Sequence, residues 1–163
     1  MTQKRSWAGS SPLSRGMIVQ GKNTNYKIRL ASTGDLAALP AIEQAAAQQF
    51  AEFELAHLEN ISLPTEALID AQKSDHVWVI TTATKEIVGF AVVSVDKDRL
   101  HLEEIDIHPN HSRQGLGRSL INLICDWARA TSFNAITLST FRDIPWNAPY
   151  YKLLGFRAVP QSQ

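Results

Sequence analysis

The chain has 163 residues, enough for one domain with a real core. Hydrophobic residues make up 44% and charged residues 20%, and Lys plus Arg equals Asp plus Glu at 16 each, so the basic excess of a nucleic-acid binder is missing. The single cysteine, Cys125, excludes an intramolecular disulfide framework and a CxxC metal site. No apolar run approaches the ~20 residues of a membrane span, and the N-terminus lacks an apolar signal core; the expectation is a cytoplasmic protein without membrane or nucleic-acid partners.

Residues 1–24 are rich in Ser, Gly, Lys and Gln without apolar periodicity, and read as a flexible tail before a single domain over 25–163. Tyr26 to Leu30 alternates as a first strand. Ser32, with Asp35 three residues later, has the spacing of a capping box. The helix it opens carries Leu36, Leu39 and Ile42 toward about Phe50, and Pro40 demands either a kink or a late start. Phe50 to Leu63 reads as a broken helix or a lid. Pro64-Thr65-Glu66 opens a short helix ending by Ser74. Three strands follow: His76–Thr82, Ile87–Val95 and Leu100–Ile107, joined by turns at Lys85-Glu86 and Asp96-Lys97-Asp98. Leu116, Leu120, Ile124, Trp127 and Ala128 recur at helical spacing, with Cys125 inside that apolar pattern as a buried thiol. Asn134–Phe141 is a strand, Trp146–Leu154 a short helix closed by Gly155, and Phe156–Val159 a last strand. The order β-α-α-β-β-β-α-β-α-β predicts a mixed α/β fold with helices on both faces of the sheet.

Between the third strand of the meander and the long helix lies Ser112-Arg113-Gln114-Gly115-Leu116-Gly117. A tight turn opening a helix leaves backbone N–H groups pointing outward, an arrangement suited to phosphate. Two common phosphate motifs do not fit. The dinucleotide pattern needs a third glycine where Leu120 stands, and the P-loop needs Lys-Ser/Thr after its glycines.

Two segments carry a resemblance. One is Ile107-His108-Pro109 followed by Gly115-Leu116-Gly117. The other is Tyr151-Lys152-Leu153-Leu154-Gly155-Phe156. In this element order the chain resembles the GCN5-related N-acetyltransferase (GNAT) superfamily from about Tyr26 to Val159. The resemblance implies a mostly antiparallel central sheet and acetyl-CoA as co-substrate, with no metal. The family's loop reads Gln/Arg-x-x-Gly-x-Gly/Ala, and Ser112 departs from it, with Arg113 and Gln114 beside it. The implied cofactor contacts are Ser112, Arg113, Gln114, Gly115, Leu116, Gly117 and Arg118 at the pyrophosphate, and Ile105, Ile107 and Asn147 along the pantetheine arm. Helix capping is the alternative role for Asn147.

Acetyl transfer from a thioester needs a base for the amine, a donor for the carbonyl oxygen and a proton for the departing thiolate. By resemblance a backbone N–H near Ile107 serves the oxygen and Tyr151 the thiolate. The base candidates lie on the third strand: Glu103 is preferred, with Glu104 and His101 behind it. Alternation puts His101 and Glu103 on one face and Glu104 and Asp106 on the other. The plain alternative is that the glutamates are solvated strand charges, while His108 and His111 read as structural or solvent-facing. The expected activity is N-acetylation of a primary amine on a small molecule or peptide, with a non-catalytic acyl-CoA module as the competing reading. Dimers are common in the superfamily, so the resemblance leaves a homodimer open.

Overall fold

The computed structural model describes residues 2–6, 25–48, 63–139 and 147–159. The strands are β1 Thr2–Ser6, β2 Tyr26–Leu30, β3 Val77–Thr82, β4 Ile87–Asp96, β5 Arg99–Ile107, β6 Ala135–Ser139 and β7 Arg157–Val159. The helices are α1 Leu39–Ala47, α2 Thr65–Lys73, α3 Leu116–Ala130 and α4 Asn147–Leu153. From β2 to β7 this is the element order expected from the sequence. The strands form one sheet in the order β2-β3-β4-β5-β6-β1-β7. β2 with β3, β3 with β4, and β1 with both β6 and β7 are antiparallel; β5 with β6 is parallel. The fold is therefore mixed α/β with a mostly antiparallel sheet. By contacts the chain divides into two compact units: Ile18–Val93 with Glu104–Leu120, and Met1–Met17 with Ser94–Glu103 and Ile121–Gln163.

In the first unit, Asp35 accepts from the Ser32 N–H at 2.7 Å and from both Arg29 guanidinium nitrogens at 2.6 and 3.1 Å. The Arg29 hydrogen bonds, chiefly, hold its carboxyl down to about 2. This is the anticipated Ser32–Asp35 pairing, and it opens a 3-10 helix, Thr33–Ala38. The α-helix proper begins at Leu39 with Pro40 in its first turn, where a missing N–H costs nothing. The late start is thus the solution to Pro40. Ala31, Leu39, Ile42 and Leu68 pack on Val77, Val79, Phe90 and Val92. The alternate β3 residues Trp78 and Ile80 are also buried, so this strand is covered on both faces. Each large side chain so buried contributes roughly 1.5–3 kcal/mol. The aromatic stretch from Phe50 onward lies, up to residue 62, outside the described residues.

In the second unit, Leu100, Leu102, Ile124, Cys125, Ala128, Ile136 and Phe156 are buried. Burial pushes the Cys125 thiol up to about 11, so it stays protonated and inert at neutral pH. The sequence places residues 1–24 in a flexible tail; Thr2–Ser6 instead form β1. Polar residues succeed there because β1 is flanked on both sides. Gln3 stands opposite Leu138 of β6 and Ala158 of β7, and is 2% exposed. The Arg5 guanidinium donates to Asn122 Oδ1 at 3.1 Å. Ladder hydrogen bonds, rather than an apolar face, supply the reason for the strand to form.

A proline at position 3 removes a backbone donor from a strand paired on both edges. Gln3→Pro is expected to destabilise the fold by about 2–3 kcal/mol, lowering Tm by about 5–10 °C in thermal denaturation. An unchanged Tm would show that β1 contributes nothing to stability.

Candidate functional site

β5 ends at Ile107, and the His108 N–H donates to the Val88 carbonyl at 2.8 Å. A single 3-10 turn, Pro109–His111, follows. His108 Nδ1 accepts from the Asn110 N–H at 3.2 Å, which fixes Nε2 as the ring's protonated nitrogen in the neutral form. Tyr26 on β2 reaches across to this turn, its hydroxyl 2.8 Å from His111 Nδ1 and its ring edge-on to the imidazole. Two left-handed residues then reverse the chain, Arg113 at φ 62° and Gly115 at φ 76°. A Cβ at Gly115 would meet nothing within 4 Å, so glycine answers to the backbone angle and not to crowding. The first bond of α3 runs from the Ser119 N–H to the Gly115 carbonyl at 3.0 Å. The N–H groups of Leu116, Gly117 and Arg118 lie ahead of that ladder, on the positive end of the helix dipole. Leu116 is buried, Gly117 half-buried and Arg118 exposed, as are Ser112, Arg113, Gln114 and Gly115.

Ser112 is bound within the turn. Its hydroxyl donates to the Pro109 carbonyl at 2.8 Å and closes the turn from within.

β5 carries the base candidates on two faces. On the odd face, His101 Nδ1 lies 2.8 Å from Thr137 Oγ1, and exposed Glu103 accepts from Ser94 Oγ at 2.5 Å. The even face begins with buried Leu100 and Leu102 and continues into Glu104 and Asp106, both partly buried. The Asp106 and Glu104 side chains are within hydrogen-bonding reach of each other, and Glu43 on α1 adds its charge. Asp106 Oδ2 is buried without a hydrogen-bond partner. Burial first, then the bond to Glu104, then the charges of Glu104 and Glu43 push the Asp106 carboxyl up to about 10. Strand alternation places Asp106 on this face without singling it out as a site residue. The readable signal was a period-2 apolar stripe, Leu100 and Leu102, running into two carboxyls. Ile105 and Ile107 are half-buried on the other face.

In the second unit, α4 ends in a Schellman motif. The Phe156 N–H donates to the Tyr151 carbonyl and the Gly155 N–H to that of Lys152, both at 3.0 Å, with Gly155 at φ 90°. The hydrophobic contact that completes such a motif is Phe156 against Tyr151, ring centroids 5.8 Å apart and edge-on. The spacing from Tyr151 to Gly155-Phe156 is therefore a helix stop that also fixes the Tyr151 ring. Tyr150 touches the same ring at 5.2 Å. Asn147 is the first residue of α4; its side chain lies outside the described residues, as do residues 140–146. Glu104, Ile105, Ile107 and residues 112–118 thus belong to the first unit, and Glu103, Asn147 and Tyr151 to the second. Among the described residues no group of three or more His, Cys, Asp or Glu side chains is arranged to hold a metal ion. Nor, among them, is any helix long and apolar enough to cross a membrane.

Residues 39–156 match the family model described as the acetyltransferase (GNAT) family. The fold is similar to that of the ribosomal-protein-S18-alanine N-acetyltransferase of Escherichia coli, at 23% identity and a TM-score of 0.67 over 83% of this chain and 79% of that one. It is similar to PaiA N-acetyltransferase of Thermoplasma acidophilum in complex with coenzyme A, at 16% identity and 0.72 over 85% and 92%. It is also similar to an aminoglycoside acetyltransferase from an uncultured soil metagenomic sample, at 18% identity and 0.64 over 86% and 94%.

The buried Asp106 carboxyl has a consequence for stability. Its unfolded form loses its proton near the ordinary aspartate value of 3.8, while the folded form keeps it to about 10. Its contribution is complete below the unfolded value and is lost progressively as pH rises between the two. Asp106→Asn removes that loss. The variant is expected to melt higher than the wild type, by a margin that widens from about pH 5 to pH 8 at up to about 1.4 kcal/mol per pH unit. Thermal denaturation across that range checks it; a margin that shrinks with rising pH would contradict the protonated state.

Proposed function

The chain belongs to the acetyltransferase (GNAT) family, and from that premise we propose that it transfers the acetyl group of acetyl-CoA to a primary amine on a small molecule or peptide. The observation that carries the reading is the turn before α3. Two left-handed residues end in three backbone N–H groups ahead of the helix ladder, with open space at Gly115. Such a cradle suits a pyrophosphate, and it lacks the lysine that a P-loop would need. Residues Ser112 to Arg118 hold the pyrophosphate in this reading, chiefly through main-chain N–H groups. Ile105 and Ile107 offer strand backbone to the pantetheine arm, and Asn147 a further polar contact. The protein and aminoglycoside acetyltransferases among its structural relatives support an amine nitrogen as acceptor.

The chemistry follows from what the residues can do. A carboxylate of β5, Glu103 or Glu104, takes one proton from the ammonium and frees the nitrogen lone pair. The nitrogen attacks the thioester carbonyl carbon; a C–N bond forms and the C–S bond breaks. A backbone N–H near Ile107 stabilises the oxygen as it gains charge. Tyr151 gives its phenolic proton to the departing thiolate and regains one from the acylated nitrogen. The proton left on the carboxylate passes to water, so each turnover releases one proton. The Phe156 contact suits Tyr151 to this role, because it holds the phenol ring in one orientation.

Thiol release from acetyl-CoA across a panel of primary amines tests the reading. Turnover is expected on at least one amine, and Tyr151→Phe is expected to lower kcat about 10²-fold. Gly115→Val strains the turn and is expected to raise the Kd for CoA about tenfold, measured by calorimetry. CoA binding without turnover on any amine would favour a non-catalytic acyl-CoA module, and absence of CoA binding would overturn the reading.

A further inference from the structure

Asp106 is costly where it stands. Its Oδ2 is buried with no partner, and the two charged groups that act on it are both carboxylates: Glu104, two residues back on β5, and Glu43 on α1. Its backbone, by contrast, is tightly held by the neighbouring strand. At Gly89 of β4 there is no room for a Cβ, which would lie 3.0 Å from the Asp106 carbonyl oxygen, 2.8 Å from Ile107 Cδ1 and 3.1 Å from Ile80 Cδ1. The backbone at Asp106 is thus pinned. With no cation acting on it among the described residues, the side chain can meet Glu104 favourably only as an acid, since two neighbouring carboxylates repel and a carboxylic acid donates. A carboxyl kept neutral by burial, next to one that is half-open, is the environment in which the two divide the roles of donor and acceptor. Glu103 stands differently: it is exposed and accepts from Ser94.

We propose that Asp106 is a positioning residue: its carboxylic acid donates a hydrogen bond to the Glu104 carboxylate and holds that carboxylate as the proton acceptor for the amine. The role rests on the transferase reading above. The step moves one proton, from the acceptor's ammonium nitrogen to a Glu104 carboxylate oxygen; the nitrogen keeps the electron pair, and Asp106 keeps its own proton throughout. The arrangement also accounts for retaining a group that lowers stability at neutral pH, because neither Leu nor Asn at this position would hold Glu104 as strongly.

The sign of a pH shift tests it. Removing a donor from Glu104 raises the affinity of that carboxylate for protons, whereas removing a like charge lowers it. In the pH profile of kcat/KM, Asp106→Ala is expected to move the acid limb upward by about one pH unit, and Asp106→Asn, which still donates, by less. A limb that moves down would show Asp106 to be ionised, and an unmoved limb would show a merely structural role; either overturns the proposal. A second measurement covers failure of the alanine variant to fold. Carboxyl-carbon NMR of the aspartate-labelled full chain, with Asp106→Asn for assignment, is expected to show Asp106 still protonated at neutral pH. Its midpoint is expected to fall in Glu104→Gln. Titration of Asp106 with the ordinary aspartates, near pH ~4, would overturn it. A wild-type chain that acetylates no amine overturns both the transferase reading and this role. An active chain with an unmoved limb overturns this role alone.

Discussion

The close approach of β4 to β5 at Gly89 is the constraint on which the geometry of the first unit's turn depends. With the Asp106 carbonyl oxygen 3.0 Å and Ile107 Cδ1 2.8 Å from where a Cβ would stand, no other residue fits without moving β5. The next backbone bond, from the His108 N–H to the Val88 carbonyl, ties down the following residue. The end of β5 is therefore fixed on β4, and everything that follows inherits its position: the 3-10 turn, the left-handed pair at Arg113 and Gly115, and the first N–H groups of α3. The Tyr26–His111 bond adds a second tether, from β2. The anion-binding role proposed for this turn requires a rigid backbone, and the strand behind it supplies that rigidity.

Two helix ends serve different purposes by related means. At the start of α3, glycine admits a positive φ so that donors stay open. At the end of α4, Gly155 admits one so that acceptors are closed, and the closing residue Phe156 packs on Tyr151. The conformational freedom of one residue thus leaves backbone donors open in the first unit and orients a phenol in the second. α3 ends in the same way as α4: Ser132 at φ 70°, with the Phe133 N–H on the Ala128 carbonyl. There a serine accepts a strained backbone angle that glycine would meet without cost.

Much of this was readable from residues alone, and the exceptions have physical causes. Gly155 as a helix stop, the Ser32–Asp35 pairing and the glycine turn all use local rules in which a few adjacent residues decide the outcome. β1 was not readable: Thr-Gln-Lys-Arg-Ser shows no apolar alternation, and its pairing with β6 and β7 is made of contacts more than a hundred residues away in the chain. Asp106 was half readable. Strand alternation assigned its face, but the side chain's surroundings depend on α1, whose Glu43 acts on it and which no window around Asp106 contains. Ser112 departs from the expected loop residue, and its hydroxyl is engaged within the turn, which no sequence window shows.

The central claim is that the backbone donors at the start of α3 hold the pyrophosphate of coenzyme A. Amide NMR of the labelled chain during a CoA titration tests it most directly. The account expects the largest downfield shifts at the N–H groups of Leu116, Gly117 and Arg118, reproduced in part by inorganic pyrophosphate. Saturable CoA binding that leaves those three amides unmoved would contradict it.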